Sequence, residues 1–172
     1  MITQIDIIIL DFIQRILKSD FCDAFFANIT HLGDKGILFI ALAILLMLCK
    51  KTRKTGFALA LSLLISFIAC NIIIKNTVQR IRPFDIKEVE LIISKPHDFS
   101  FPSGHSWHSF ATAAVLGAYY KRHRIWLYLV AFLIAFSRLY LYVHYPTDVV
   151  FGGILGIFSG AFAVKLINHK SE

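Results

Sequence analysis

Three polar clusters interrupt a chain that is otherwise largely apolar, and their residue types suit one chemistry. The first is KNTVQRIRP, carrying Lys75, Arg80 and Arg82. The second is FPSGHSWHSF, carrying Ser103, Gly104, His105 and His108. The third is SRLYLYVHYPTD, carrying Arg138, His144 and Asp148. His144 and Asp148 are four residues apart across Pro146, and proline suits the first turn of a helix. A carboxylate so placed can accept a hydrogen bond from one imidazole nitrogen. That fixes the tautomer and leaves the other nitrogen free to attack an electrophile. His105, from a different segment, suits a general acid that gives its proton to a leaving oxygen.

The cations point to the electrophile. Lys75, Arg82 and Arg138 stand beside hydrocarbon, where each costs ~2.5–3.5 kcal/mol at a bilayer centre and less at its edge. Three converging cations without enough nearby acid call for an anion from outside the chain. Ser103 and Gly104 stand where an apolar helix should begin, so their N–H groups are expected to face outward, as a phosphate requires. Gly104 also lets an oxyanion approach the backbone closely. Together these groups permit a two-step displacement at phosphorus through a phosphohistidine, with the cations stabilising the equatorial oxygens. Such a site is expected to use no metal and no cofactor. With His144 neutral and His105 protonated in the working form, the rate is expected to be bell-shaped in pH.

The elements that must position these residues are membrane spans. Of the 172 residues 57% are hydrophobic and only 17% are charged, too apolar a balance for a soluble domain. Five apolar runs are candidates: Gly36 to Cys49, Gly56 to Ile74, Trp107 to Tyr120, Ile125 to Phe136 with its continuation, and Val149 to Ile167. No cleavable signal is apparent. Residues 2–18 instead read as an amphipathic helix lying in the interface, with Thr3, Gln4, Asp11, Gln14, Arg15 and Lys18 on one face and Asp6 off it. Phe21 to Ile29 continue along the surface. The expected fold is all-α: an integral membrane bundle of about five transmembrane helices, six being the other count. Interfacial helices over residues 1–32 precede a bundle over 33–168, in a single domain.

Charge sets the expected orientation. The formal net charge is +7, and the clusters KKTRK at 50–54, KRHR at 121–124 and Lys165, His169 and Lys170 all fall on one side if five spans alternate. The positive-inside rule makes that side cytoplasmic. All three polar clusters then reach the outer boundary of the membrane, and the C-terminus stays inside. The three cysteines, Cys22, Cys49 and Cys70, show no ligand spacing and read as small apolar fillers.

In order and spacing, Lys75…Arg82-Pro83, Pro102-Ser103-Gly104-His105 and Ser137-Arg138…His144…Asp148 resemble the signature of the type 2 phosphatidic acid phosphatase (PAP2) superfamily, with every signature position filled. The resemblance implies a nucleophile at His144, an orienting carboxylate at Asp148 and a general acid at His105. It implies phosphate contacts from Lys75, Arg82, Ser103, Gly104 and Arg138. It also implies metal-independent hydrolysis of a phosphate or diphosphate on a membrane lipid, with undecaprenyl diphosphate, phosphatidylglycerophosphate, lipid A and phosphatidic acid as candidates.

Several residues stand outside the signature. Arg80 divides evenly between a phosphate contact and a solvated or lipid-headgroup role. His108, three residues after His105, shares its face and is read first as a packing histidine, with a headgroup role as the alternative. His97 and Asp98 lie within reach of a headgroup but are left out of the expected site. Gly152, Gly156 and Gly160 form a small-residue ridge, read as packing inside the bundle rather than as a dimer interface. The expected partners are the bilayer and a lipid phosphate, with no nucleic acid. Two rival readings keep the anion site: a lipid phosphotransferase, and a non-enzymatic anion-binding membrane protein. A carrier should hold its polar residues near the midplane, whereas here they collect at one edge.

Overall fold

A computed structural model describes residues 2–169; Lys170, one of the basic residues expected at the inner end, lies outside the described residues. Helices α1 (Ile2–Leu17) and α2 (Asp20–His31) lead through a turn at Asp34–Gly36 into α3 (Ile37–Leu48). Helix α4 (Arg53–Phe67) runs on through a π-helical segment, Ile68–Ile74, into α5 (Lys75–Val78). A short α6 (Pro83–Ile86) opens the long loop, and α7 (Gly104–Tyr119), α8 (Arg124–Tyr140) and α9 (Pro146–His169) complete the bundle. Among the described residues there is no strand.

Helix α7 is the centre of the packing, contacted by α4, α8 and α9. It can be central because its buried face is built from small residues, among them Ser106, Ser109, Ala111 and Ala113. The glycine ridge of α9 completes the fit. A Cβ at Gly156 would lie 2.5 Å from the Trp107 carbonyl oxygen, and one at Gly160 would lie 2.7 Å from that of Ala111. The ridge is therefore spent inside the chain, as expected. A second core joins α3, α4, α7 and α8 through Phe39, Leu59, Leu63, Val115 and Ile134.

The two ends of the bundle differ in character. At one end Tyr119 donates to Asn168 at 3.0 Å, Arg124 packs on Gly117, and Thr52 caps the carbonyl of Leu46 at 2.8 Å. The basic clusters at 50–54 and 121–124 belong to this end. The opposite end collects Lys75, the start of α7, the end of α8 and the start of α9.

Apolar side chains cover the outward faces: Leu48 and Ile125 are 74% exposed, and Trp126 and Phe158 are 69% exposed. Three stretches, Asp20–Leu48, Arg53–Ile86 and Pro146–His169, are long and apolar enough to cross a membrane. The protein is a multi-pass helical membrane bundle. Helices α7 and α8, at 16 and 17 residues, are shorter than those three stretches. The first stretch is broken where the sequence suggested a boundary, at Lys35 (φ 51°) and Gly36 (φ 69°).

Helix α1 turns its polar side onto the protein, and Asp6, read as lying off the polar stripe, joins it there. Asp6 is buried and accepts from the Thr147 amide at 3.2 Å and hydroxyl at 2.7 Å, Asp11 binds Lys87 and Tyr142, and Gln14 donates to the Tyr140 carbonyl. Ile8, Phe12 and Ile16 are exposed. The polar end of the bundle offers partners that the apolar face lacks, so the polar stripe docks on protein and the isoleucines face outward.

Candidate active site

At the polar end lies a cavity of about 580 Å³, whose lining includes Lys75, Arg82, Gly104, His105, Arg138 and His144. The three sequence clusters, drawn from three separate segments, meet there. Lys75 reaches it because the π-helical turn ahead of it, Ile68–Ile74, shifts the register of the helix just before the site. The Lys75 side chain is buried with its ammonium on Asp98. Arg82 precedes Pro83 at the first position of α6, so its own backbone is extended, and its guanidinium is almost fully buried.

The nucleophile candidate is approached at both nitrogens but hydrogen-bonded at one. Arg82 Nη1 lies 3.2 Å from His144 Nε2 and donates to the Val143 carbonyl at 2.5 Å. Arginine only donates, so Nε2 is the lone-pair nitrogen and Nδ1 carries the proton. Nδ1 lies 3.5 Å from Asp148 Oδ2 and has no hydrogen-bond partner within range. The expected His144–Asp148 hydrogen bond is thus a longer charge–dipole contact. Asp148 is fully buried and saturated by others: Arg80 Nη1 at 2.5 Å, the Ser100 hydroxyl, and the Tyr145 amide at 3.0 Å.

Arg80, expected as a possible headgroup contact, has a different place. It bridges Asp148 to Asp6, at 2.7 Å on the second side, and stacks 3.8 Å over the Tyr145 ring. It does not line the cavity. Two buried carboxylates take up its charge, which explains why no lipid anion is needed there.

Ser103 departs from expectation as well. It caps α7, with its hydroxyl accepting from Ser106, but its own N–H donates to the Asp148 carbonyl at 3.1 Å and its side chain is buried. The amides left free by the start of α7 are those of Gly104 and His105, its first two residues. Gly104 lines the cavity and Ser103 does not.

Arg138 is buried, donates to the Thr30 hydroxyl, and keeps its Nε without a partner. His105 Nε2 lies 3.1 Å from Asp34 Oδ1. His108 lines the same cavity one turn further along α7, where a Cβ on Gly36 would stand 3.7 Å from its Nδ1. Its contact with the turn before α3 makes both earlier readings of it compatible: it packs on a neighbouring segment and faces the cavity.

The converging cations do have an acid. Asp98 joins Lys75 to Arg82, with Oδ1 2.6 Å from Arg82 Nη2, and its carbonyl accepts from Arg82 Nε at 2.7 Å. Partial desolvation pulls the Asp98 pKa up, and the charges of Lys75 and Arg82 outweigh it, so the carboxyl stays well below the usual range. The expectation that these cations lacked a carboxylate is corrected here, because the loop before the Pro-Ser-Gly run folds back over them. Asp34, Thr30 and Ser100 were also unseen in sequence. HLGDKG, with a polar pair between two glycines, was the one signal that a sharp turn carries Asp34. Among the described residues no group of three or more His, Cys, Asp or Glu side chains is arranged to hold a metal ion.

The model of the PAP2 superfamily matches residues 54–172 of this chain. The chain belongs to the PAP2 superfamily. An undecaprenyl-diphosphatase of Sulfolobus acidocaldarius is 33% identical over 132 residues, which are 75% of this chain and 63% of that protein. The chain therefore spans a little under two thirds of the length of that PAP2-type relative. Among solved structures, Aquifex aeolicus LpxE is similar at a TM-score of 0.80 and 31% identity, covering 92% of this chain and 94% of the other. A PAP2-type phosphatidylglycerolphosphate phosphatase from Bacillus subtilis gives a TM-score of 0.78 at 26% identity, covering 99% of this chain and 87% of the other. The signature positions of the PAP2 superfamily are thus set in a bundle shared with these two solved structures over most of their lengths.

Proposed function

We propose that this protein is a metal-independent lipid phosphatase that removes a phosphate or terminal phosphate of a diphosphate through a phosphohistidine. The observation that carries the reading is His144 Nε2, aimed by Arg82 into a cavity ringed by Lys75, Arg138 and the free amides at the start of α7. His144 Nε2 attacks phosphorus while the lysine, the two arginines and the amides hold the equatorial oxygens. His105 protonates the departing lipid oxygen, and then takes a proton from the water that cleaves the phosphohistidine. Asp148 orients His144 through the 3.5 Å contact at Nδ1, with Arg80 holding Asp148 from behind.

Relatives that act on undecaprenyl diphosphate and phosphatidylglycerolphosphate, together with LpxE, support a lipid-borne phosphate as the substrate class. The separation of the site from the basic end supports five spans, α1 and α2 at the interface, and a site open to the outer face. The test is phosphate release from a panel of lipid phosphates and diphosphates by the detergent-purified protein in excess chelator. Release that is inhibited by vanadate and lost in His144→Ala supports the reading. Release undiminished in that variant overturns the nucleophile.

A further inference from the structure

A second histidine–carboxylate pair stands in the cavity, supplied by a part of the chain that the family match does not reach. Asp34 precedes the matched residues 54–172 and comes from the turn between α2 and α3. Its Oδ1 lies 3.1 Å from His105 Nε2, and its Oδ2 lies 2.7 Å from Nδ1 of His31. His31 is an exposed residue at the end of α2, so the carboxylate is anchored on one side and engaged with His105 on the other.

The turn is shaped for this contact. Lys35 and Gly36 both take left-handed backbone, at φ 51° and 69°, which bends the chain sharply right after Asp34. Gly33 lies flat against the histidine: a Cβ there would stand 2.4 Å from His105 Cδ2. Backbone thus fixes one edge of the His105 ring, and a carboxylate fixes one of its nitrogens. Among the described residues the side-chain hydrogen bonds of the Asp34 carboxylate go to these two histidines.

We propose that Asp34 is the positioning residue for His105, holding Nε2 so that Nδ1 is presented to the leaving oxygen in the protonated form. A carboxylate on one ring nitrogen sets the orientation of the other and stabilises the imidazolium. The role rests on the phosphatase reading above. In the first step the Nε2–P bond of His144 forms, the P–O bond to the lipid breaks, and the proton on His105 Nδ1 passes to the lipid oxygen. In the second step water gives a proton back to His105 Nδ1, its oxygen bonds to phosphorus, and the P–N bond breaks. Asp34 keeps its hydrogen bond to Nε2 throughout and is not consumed.

A general acid matters only when the leaving group is poor, and that separates positioning from simple structural support. The full-length protein in detergent is assayed on an alkyl lipid phosphate and on 4-nitrophenyl phosphate, whose phenolate leaves without help. In Asp34→Asn, kcat on the lipid phosphate is expected to fall about 10- to 100-fold, a part of the roughly 10²–10⁴ that a general acid supplies. The loss on 4-nitrophenyl phosphate is expected to be at least about 10-fold smaller. Gly33→Ala, which pushes a methyl group into the His105 ring, should reproduce that asymmetry, and Asp34→Glu should restore part of the lipid rate. Equal losses on both compounds, or no loss on the lipid, overturn the proposal. A wild-type protein that releases phosphate from neither compound overturns the phosphatase reading, and the role of Asp34 falls with it.

Discussion

At the residue scale, the anion site already holds an anion of the protein's own. Asp98 bridges Lys75 and Arg82, so on the proposed mechanism a substrate phosphate displaces a carboxylate before it binds. Asp98→Asn should therefore tighten inhibition by vanadate about 10-fold, equivalent to about 1.4 kcal/mol. If Asp98 instead held the two cations in place, the same change would weaken inhibition, so the direction of the shift decides. The sign of its pH dependence follows from the same contacts. A depressed carboxylate contributes its ion pairs above the ordinary Asp range and loses them as pH falls through the lowered value, so this bridge does not titrate between about pH 5 and 8. Burial, and then the charges of Arg82 and Arg138, hold the His144 pKa well below the usual histidine value. The nucleophile then loses its proton below the ordinary histidine range, so the acidic limb of the expected bell moves to lower pH. A kcat/KM profile whose acidic limb lies below the ordinary histidine value of about 6.5 is the expected result, and a midpoint near pH 6.5 on the acidic side would contradict it. The signature residues were legible because their types and spacing carry the chemistry. Asp98 and Asp34 were not, because each acts through a loop whose path only tertiary packing determines.

At the scale of elements, the site depends on how closely α9 and α7 approach. Ser103 donates its N–H to the carbonyl of Asp148, and a Cβ at Gly152 would lie 2.6 Å from the Ser103 carbonyl oxygen, so the two catalytic segments are fastened backbone to backbone. Further along, a Cβ at Gly156 would meet backbone atoms on two sides, the Trp107 oxygen at 2.5 Å and the Ala111 nitrogen at 3.0 Å. Backbone cannot step aside as a side chain can. Gly156→Val is expected to destabilise the detergent-solubilised protein by about 1–3 kcal/mol or more. Gly153→Ala meets only the Phe110 ring, at 3.3 Å, and should cost much less. Thermal unfolding of the two variants side by side tests the ranking, and equal midpoints would refute it. The ridge itself was readable from its four-residue spacing. The π-helical turn at Ile68–Ile74 was not, since one extra residue per turn leaves no mark in an apolar run such as IACNIII.

At the scale of the whole molecule, the bundle presents two chemically distinct ends, and the proposed orientation in the membrane rests on which one carries fixed positive charge. The clusters at 50–54 and 121–124 lie at the end away from the cavity, while the long loop with Lys95 and Asp98 lies over it. That the chain is a helical membrane bundle, and where its basic clusters fall along the sequence, could be read from hydropathy and charge, because both are one-dimensional properties. The docking of α1 could not, since its polar stripe suits water and a polar protein surface equally well. Native Cys49 is exposed at the basic end, and the Lys95 side chain is more than half exposed on the cavity side. These positions make the orientation measurable with a membrane-impermeant maleimide. In a background with Cys22 and Cys70 replaced by serine, Cys49 should react only after the cells are permeabilised. With Cys49 also replaced, Lys95→Cys should react in intact cells. Positive-inside bias acts through Lys and Arg near span ends, so neutralising the 50–54 cluster should blunt this asymmetry before any other cluster does. Labelling of Cys49 from outside, with Lys95→Cys protected, would place the cavity on the cytoplasmic face and require a lipid phosphate supplied from the inner leaflet.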